Sequence, residues 1–138
     1  MSRLQLALNV RNLDAAVDFY SKLFGTEPAK RRPGYANFAI AEPPLKLVLF
    51  ENPAATEKLN HLGIEVFSSE QVAQASDRLK QANVTVKTEN QTTCCYALQD
   101  KVWVTDPDGD DWEVYTVLQD SATFAGAGAQ TTASVCCA

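Results

Sequence analysis

The chain has 138 residues, 46% of them hydrophobic, with a formal charge of −5. A chain of this length buries roughly two-thirds of its unfolded surface, so it needs neither disulfides nor metal to fold. Its acidic balance, with a sequence pI near 4.8, argues against nucleic acid and anionic membranes as partners, since both require a basic face. No apolar run approaches the roughly 20 residues of a membrane span. The start, Met1-Ser2-Arg3-Leu4-Gln5, lacks the apolar core of a secretory signal, so the expected location is cytoplasmic.

Leu4, Leu6, Leu8 and Val10 alternate with Gln5, Ala7 and Asn9, which predicts an opening strand. Asp14 to Phe24 follows helical spacing, with Val17, Tyr20, Leu23 and Phe24 on one face and Gly25 as terminator. Tyr35 to Ala41 and Leu45 to Glu51 read as strands joined at Glu42-Pro43-Pro44. Asn60 to Val66 is a further strand. Ser68 and Gln71 suit a capping box, ahead of a helix whose apolar face is Val72, Ala75, Leu79 and Ala82. Val84 to Lys87, Tyr96 to Leu98, Val102 to Thr105 and Trp112 to Val117 supply the remaining strands, and the polar stretch Glu89 to Thr93 reads as a loop.

The order repeats. Moving the first segment by 56 positions sets Gln5 on His61, Leu8 on Ile64, Val10 on Val66 and Leu23 on Leu79. The expected class is α+β, with two βαβββ modules (about 1–56 and 57–120) in one domain spanning 1–120. From Ser121 the chain is rich in Ala, Gly, Thr, Ser and Gln, and 121–138 is expected to be a mobile tail ending in Cys136-Cys137.

The chemistry-bearing residues fall into a hard set and a soft set. His61 is the only histidine, and Glu113 follows the turn Asp106-Pro107-Asp108-Gly109. With Gln5 at the equivalent position of the first module, an amide, an imidazole and a carboxylate are available, the donor types that suit Fe, Zn, Ni or Mn. The four cysteines form two adjacent pairs, Cys94-Cys95 and Cys136-Cys137. Neighbouring cysteines rarely bridge one another, so thiols for a metal, a metalloid or redox chemistry are expected. Adjacent side chains of a regular strand point to opposite faces, so both sulfurs reach one atom only from a turn or loop. Lys101 and Lys87 are candidates to activate them.

The phrase from Leu8 to Tyr20 and the placement of Asp106-Pro107-Asp108-Gly109 before Glu113 resemble the vicinal-oxygen-chelate superfamily of glyoxalases, bleomycin- and fosfomycin-resistance proteins and extradiol dioxygenases. That resemblance implies an open, cup-shaped mixed sheet with the helices outside and a divalent metal on strand-borne ligands. Asn-His-Leu-Gly at 60–63, Cys94-Cys95-Tyr96, the run Asp100 to Thr105 and Trp112-Glu113-Val114-Tyr115 are similar to the organoarsenical C–As lyase branch, which also holds cadmium-induced proteins. The branch implies an Fe(II)-dependent, O2-using lyase acting on trivalent organoarsenicals such as methylarsenite. Gln5, His61 and Glu113 match its metal ligands, and Cys94 and Cys95 its arsenic-binding thiols.

The residues themselves leave Zn, Ni, Mn and Co open beside Fe(II). The fourth position expected from the duplication falls near Leu47 or Val48, neither of which coordinates. Two rivals stand beside the lyase: a non-enzymatic Cd(II)- or As(III)-binding resistance protein, and another metal-dependent glyoxalase-type enzyme with Glu51 as its nearest second carboxylate. Tyr35, Phe38, Trp103 and Tyr115 are expected in the core or lining the cup, with Asn37 facing it. The expected partner is a small molecule, and both monomer and homodimer fit.

Overall fold

The structure is a computed structural model and describes residues 2–124. Cys136, Cys137 and most of the tail therefore lie outside the described residues. The described residues divide into two compact units, Arg3–Leu62 and, with Ser2, the residues from Gly63 to Phe124.

The first unit runs β1 (Arg3–Val10), α1 (Leu13–Phe24), β2 (Lys30–Arg32), β3 (Tyr35–Ile40), β4 (Leu45–Glu51) and the opening residues of β5 (Leu59–Glu65). Its strands lie in the order β2-β3-β4-β1-β5. β1 and β4 are parallel, Gln5 opposite Lys46, while β4 is antiparallel to β3. The alternation in β1 decides its faces. Leu8 and Val10 join Leu13 and Val17 of α1, with Phe38, Leu47 and Leu49, in one apolar core. Burial of each large side chain there contributes about 1.5–3 kcal/mol. Gln5 is thereby turned to the opposite face. α1 starts at Asn12, whose side chain accepts from the Ala15 amide, and stops at Gly25, whose φ of 65° is left-handed and easy only for glycine.

The second unit continues β5 into α2 (Ser69–Gln81), β6 (Lys87–Cys94), β7 (Ala97–Thr105) and β8 (Asp111–Asp120), in the order β5-β8-β7-β6. Ser68 caps α2 by accepting from the Gln71 amide, and the Gln71 side chain accepts in return from Phe67 N–H. Val72 and Ala75 of the helix pack with Val66, Val102 and Val114. Each module is therefore βαβββ, and β2-β3-β4-β1 of one recurs as β6-β7-β8-β5 of the other. β1 and β5 begin 56 residues apart, as do the two helices.

Three expectations need correction. Glu89 to Thr93 is strand rather than loop: β6 pairs with β7 from Lys87↔Trp103 to Cys94↔Ala97, with one irregularity between Glu89 and Thr92. Val84 to Val86 precedes that strand and is not part of it. The two short strands expected at Tyr96 to Leu98 and Val102 to Thr105 are one continuous β7, because Gln99, Asp100 and Lys101 are paired to β8. β2 went unpredicted: Lys-Arg-Arg shows no apolar alternation, and only its pairing with Tyr35 to Asn37 makes it a strand. Tyr35, Phe38, Trp103 and Tyr115 are all buried, as expected. Among the described residues no helix is long and apolar enough to cross a membrane.

Candidate metal and thiol sites

In the first unit, β1 and β5 bring Gln5 and His61 together. Their side chains are 4% and 2% exposed, and Gln5 Nε2 lies 3.1 Å from His61 Nε2. Two ligands bound at right angles to one ion, each at about 2.1 Å, stand about 3.0 Å apart. The pair therefore has the spacing of two neighbouring ligands of a common metal. Gln5 would present its amide oxygen, which a half-turn of the planar amide places where Nε2 now lies.

The other imidazole nitrogen is already engaged. His61 Nδ1 is 2.8 Å from Asn60 Oδ1. The carbonyl oxygen can only accept, so Nδ1 carries the proton and the Nε2 lone pair faces Gln5. Asn60 is held in turn, its Nδ2 donating to Asn9 Oδ1 at 2.9 Å, and Asn9 Nδ2 donates to the Glu57 carbonyl. The sequence pattern assigned Asn60 no role. The signal was present in its position beside the lone histidine, but a side chain that bonds its chain neighbour leaves no spacing to detect.

Glu51, the second carboxylate a glyoxalase-type site would use, is otherwise engaged. Its Oε2 accepts from the Leu13 amide at 2.8 Å, at the first turn of α1. There the exposed N–H groups and the helix dipole favour a negative charge.

Glu113 belongs to the second unit. It is 3% exposed, and Lys101 Nζ lies 2.8 Å from its Oε1. The turn before it is fixed by Asp106, whose Oδ1 accepts from the amides of Asp110 and Asp108 and whose Oδ2 accepts from Trp112 Nε1. Those bonds, the Asp110 amide foremost and then Trp112, hold the Asp106 carboxyl below the usual carboxylate range, against the opposing effect of desolvation.

Cys94 ends β6, and Cys95-Tyr96 is the two-residue turn into β7. Both turn residues have positive φ, 53° and 63°, the pattern of a type I′ hairpin. Neither is glycine, so the turn carries strain of about 1–3 kcal/mol per residue. That backbone solves the problem of neighbouring side chains: the two sulfurs lie 3.3 Å apart rather than on opposite faces. Gln99 holds the turn from beneath, its Nε2 donating to the Cys94 carbonyl at 2.9 Å. Sequence reasoning missed Gln99 as well, because its partner is a backbone group.

The β7 ladder measures how far the thiols lie from Glu113. Cys94 stands opposite Ala97, and Glu113 opposite Trp103. Six residues of strand separate those rows, about 20 Å. Thiol pair and carboxylate are thus on one sheet but not in contact. The two lysines expected to activate the thiols do not approach them. Lys101 pairs with Glu113, and Lys87, at the far end of β6, pairs with Glu89 at 3.4 Å.

A sequence profile of the glyoxalase/bleomycin resistance protein/dioxygenase superfamily matches residues 3–114. The cadmium-induced protein CadI of Mycobacterium tuberculosis (strain ATCC 25618 / H37Rv) is 60% identical, over 99% of this chain and 93% of its own. The trivalent organoarsenical cleaving enzyme of Thermomonospora curvata is 59% identical, over 99% of this chain and 89% of its own. A Bacillus sp. (strain MD1) enzyme of the same name is 41% identical, over 89% and 80%. Among solved structures, the extradiol ring-cleaving dioxygenase of B. fuscum superimposes with a TM-score of 0.63 at 20% identity, covering 86% of this chain and 33% of that one. The Mn(II)-bound glyoxalase of Novosphingobium aromaticivorans gives 0.61 at 21%, covering 89% and 42%. These two likenesses show a shared fold, that of the vicinal-oxygen-chelate proteins. The chain belongs to the glyoxalase/bleomycin resistance protein/dioxygenase superfamily, in the branch of the cadmium-induced and trivalent organoarsenical cleaving proteins.

Proposed function

We propose that the protein is a cytoplasmic, Fe(II)-dependent, O2-using enzyme that breaks the carbon–arsenic bond of trivalent organoarsenicals such as methylarsenite, releasing arsenite. The observation that carries this is the strained turn that sets the sulfurs of Cys94 and Cys95 side by side, 3.3 Å apart. Trivalent arsenic is a soft, three-coordinate centre, and two adjacent thiols take two of its valences while leaving the organic carbon on the third. Loading R–As(OH)2 forms two As–S bonds and breaks two As–O bonds, with the thiol protons leaving in two waters. The 59% identity to an organoarsenical cleaving enzyme supports the same substrate class.

Gln5, His61 and Glu113 would hold the metal. The residues fit one: Gln5 and His61 have the spacing of neighbouring ligands, and Asn60 fixes the imidazole with its Nε2 lone pair outward. One carboxylate against a dication leaves the set cationic, and the donor types are those of the non-haem iron sites. Bound there, Fe(II) supplies the O2 chemistry that cleaves the C–As bond. The chain's own contribution is to bring substrate and metal together. Because about 20 Å of strand separates the thiols from Glu113, the tip of the β6–β7 hairpin must bend toward it. The ladder's pairing is interrupted between Glu89 and Thr92 and between Leu98 and Gln99, and bulges of this kind bend a strand locally. After cleavage the thiols retain arsenite until other thiols exchange for it, and the carbon departs as an oxidised fragment.

The test uses anaerobic protein loaded with Fe(II), mixed with methylarsenite and then given O2. Arsenite should form with consumption of oxygen. A second reading, sequestration of Cd(II) or As(III) without turnover, is supported by the 60% identity to a cadmium-induced protein. Binding of methylarsenite with neither arsenite nor oxygen uptake would establish that reading instead. A glyoxalase-type activity is disfavoured by the engagement of Glu51 at the start of α1.

A further inference from the structure

We infer that Gln99 is the hydroxyl acceptor of the arsenic site: its Oε1 takes a hydrogen bond from the As–OH that arsenite keeps when Cys94 and Cys95 hold it. The inference rests on the proposal that this thiol pair binds trivalent arsenic. Gln99 is only 4% exposed, yet just one end of its amide is used. Nε2 donates to the Cys94 carbonyl at 2.9 Å. That bond fixes which end of the amide is which, since a carbonyl needs a donor. Among the described residues, Oε1 has no hydrogen-bond partner. A buried amide oxygen left unpaired is costly, and the brace beneath the turn uses the nitrogen alone. The oxygen is thus unexplained by the fold.

The ladder sets this oxygen beside the thiols. Cys94 stands opposite Ala97, so their side chains share a face, and Gln99, two residues further along β7, shares it as well. Such diagonal neighbours stand about 7–8 Å apart, within reach of a long side chain. Gln99 also lies on the Glu113 side of the thiol row, between Ala97 and Trp103, the residue opposite Glu113. A substituent that arsenic directs toward Glu113 therefore passes over Gln99. Cys94 is fully covered, so any arsenical must part that cover to reach its sulfur, and what the arsenic carries then meets Gln99. Two As–S bonds leave one valence. Methylarsenite brings a methyl group there, which cannot donate, and Oε1 stays unpaired. Arsenite exchanges two hydroxyls for two sulfurs, the thiol protons leaving in two waters, and its third O–H donates to Oε1. The site therefore favours product over substrate, and release of arsenite needs competing thiols.

The test uses the metal-free full-length chain carrying Cys136→Ser and Cys137→Ser, so that one thiol pair remains, and compares its affinities for arsenite and methylarsenite. Gln99→Met keeps the length of the side chain and removes both polar ends. Loss of the brace weakens both ligands alike, so the readout is the ratio of the two affinities. That ratio should shift against arsenite by roughly 3- to 10-fold, and arsenite should dissociate faster by a similar factor. An unchanged ratio would overturn the inference and leave Gln99 as a brace alone. Should Gln99→Met fail to fold, the infrared spectrum of the parent decides the matter. With glutamine 13C-labelled at its side-chain carbonyl, arsenite should move a carbonyl band to lower wavenumber and methylarsenite should not. A band that moves with both ligands, or with neither, would overturn it. Cys94→Ser separates this idea from the one beneath it. Undiminished arsenite binding by Cys94→Ser refutes the thiol site itself, whereas lost binding there with an unchanged Gln99→Met ratio refutes only the role of the glutamine.

Discussion

His61 shows how much of a site can rest on a neighbour without a motif of its own. The period-2 pattern and the repeat pointed to Gln5 and His61 as a pair, and the structure sets them 3.1 Å apart. Asn60 was invisible because the bond it makes is to the next residue, not across a recognisable spacing. Replacing Asn60→Ala removes the acceptor that fixes the ring and should weaken metal affinity by roughly 10- to 100-fold, measured by competition with a chromophoric chelator. An unchanged affinity would mean that strand packing alone orients the imidazole. The thiols were legible as residues, and a turn or loop was expected to bring them together, but its place was not: it is Cys95-Tyr96 rather than the polar stretch Glu89 to Thr93. Adjacency in sequence predicts opposite faces, and only the positive φ of Cys95 and Tyr96 reverses that. Cys95→Ser should abolish arsenite release and leave Co(II) binding intact; retained release would remove the thiols from the reaction.

Elements with strong alternation were readable, and those defined by partners were not. β1, α1, β3, β4, β5 and α2 carry their own apolar pattern, and their expected bounds lie within a residue or so of the observed ones, α2 starting after its Ser68 cap. β6 does not: its polar Thr-Glu-Asn-Gln-Thr-Thr run becomes strand through pairing with β7. β2 is the same case at smaller size. The β7–β8 connection was legible, because Asp-Pro-Asp-Gly has turn chemistry wherever it occurs. Its behaviour with pH follows from Asp106. The native turn holds this carboxyl below its unfolded value, so its stabilising contribution is present above that value and is lost as the pH falls toward the folded one. Asp106→Ala should therefore melt at a lower temperature than the parent at pH 7, with the gap narrowing below about pH 4. A gap independent of pH would assign the effect to packing.

At the scale of the whole molecule the duplication was the most informative part of the sequence. The 56-residue shift anticipated where β1 and β5 begin and where both helices begin. It could not anticipate β6 to β8, because the second module lengthens its last three strands and the offset is lost there. The same lengthening carries Cys94-Cys95 away from the Glu113 row, so the distance between thiols and carboxylate belongs to the module, not to either residue. Removal of bound metal with a chelator should stop arsenite release but leave methylarsenite bound at a ratio of one per chain, read by mass spectrometry. Loss of both together would tie arsenical binding to the metal and undo the division of labour proposed for the two sites.

The hairpin tip is also tied to the end of the last strand. Ser121 donates its amide to the Tyr96 carbonyl at 2.8 Å, and the Phe124 ring meets Tyr96 edge-on at 5.6 Å. A protein truncated after Asp120 would keep every strand yet leave Tyr96 without either brace. Its vicinal sulfurs should then be alkylated faster by a bulky maleimide than those of the full-length chain, and equal rates would show that the tip holds its form unaided.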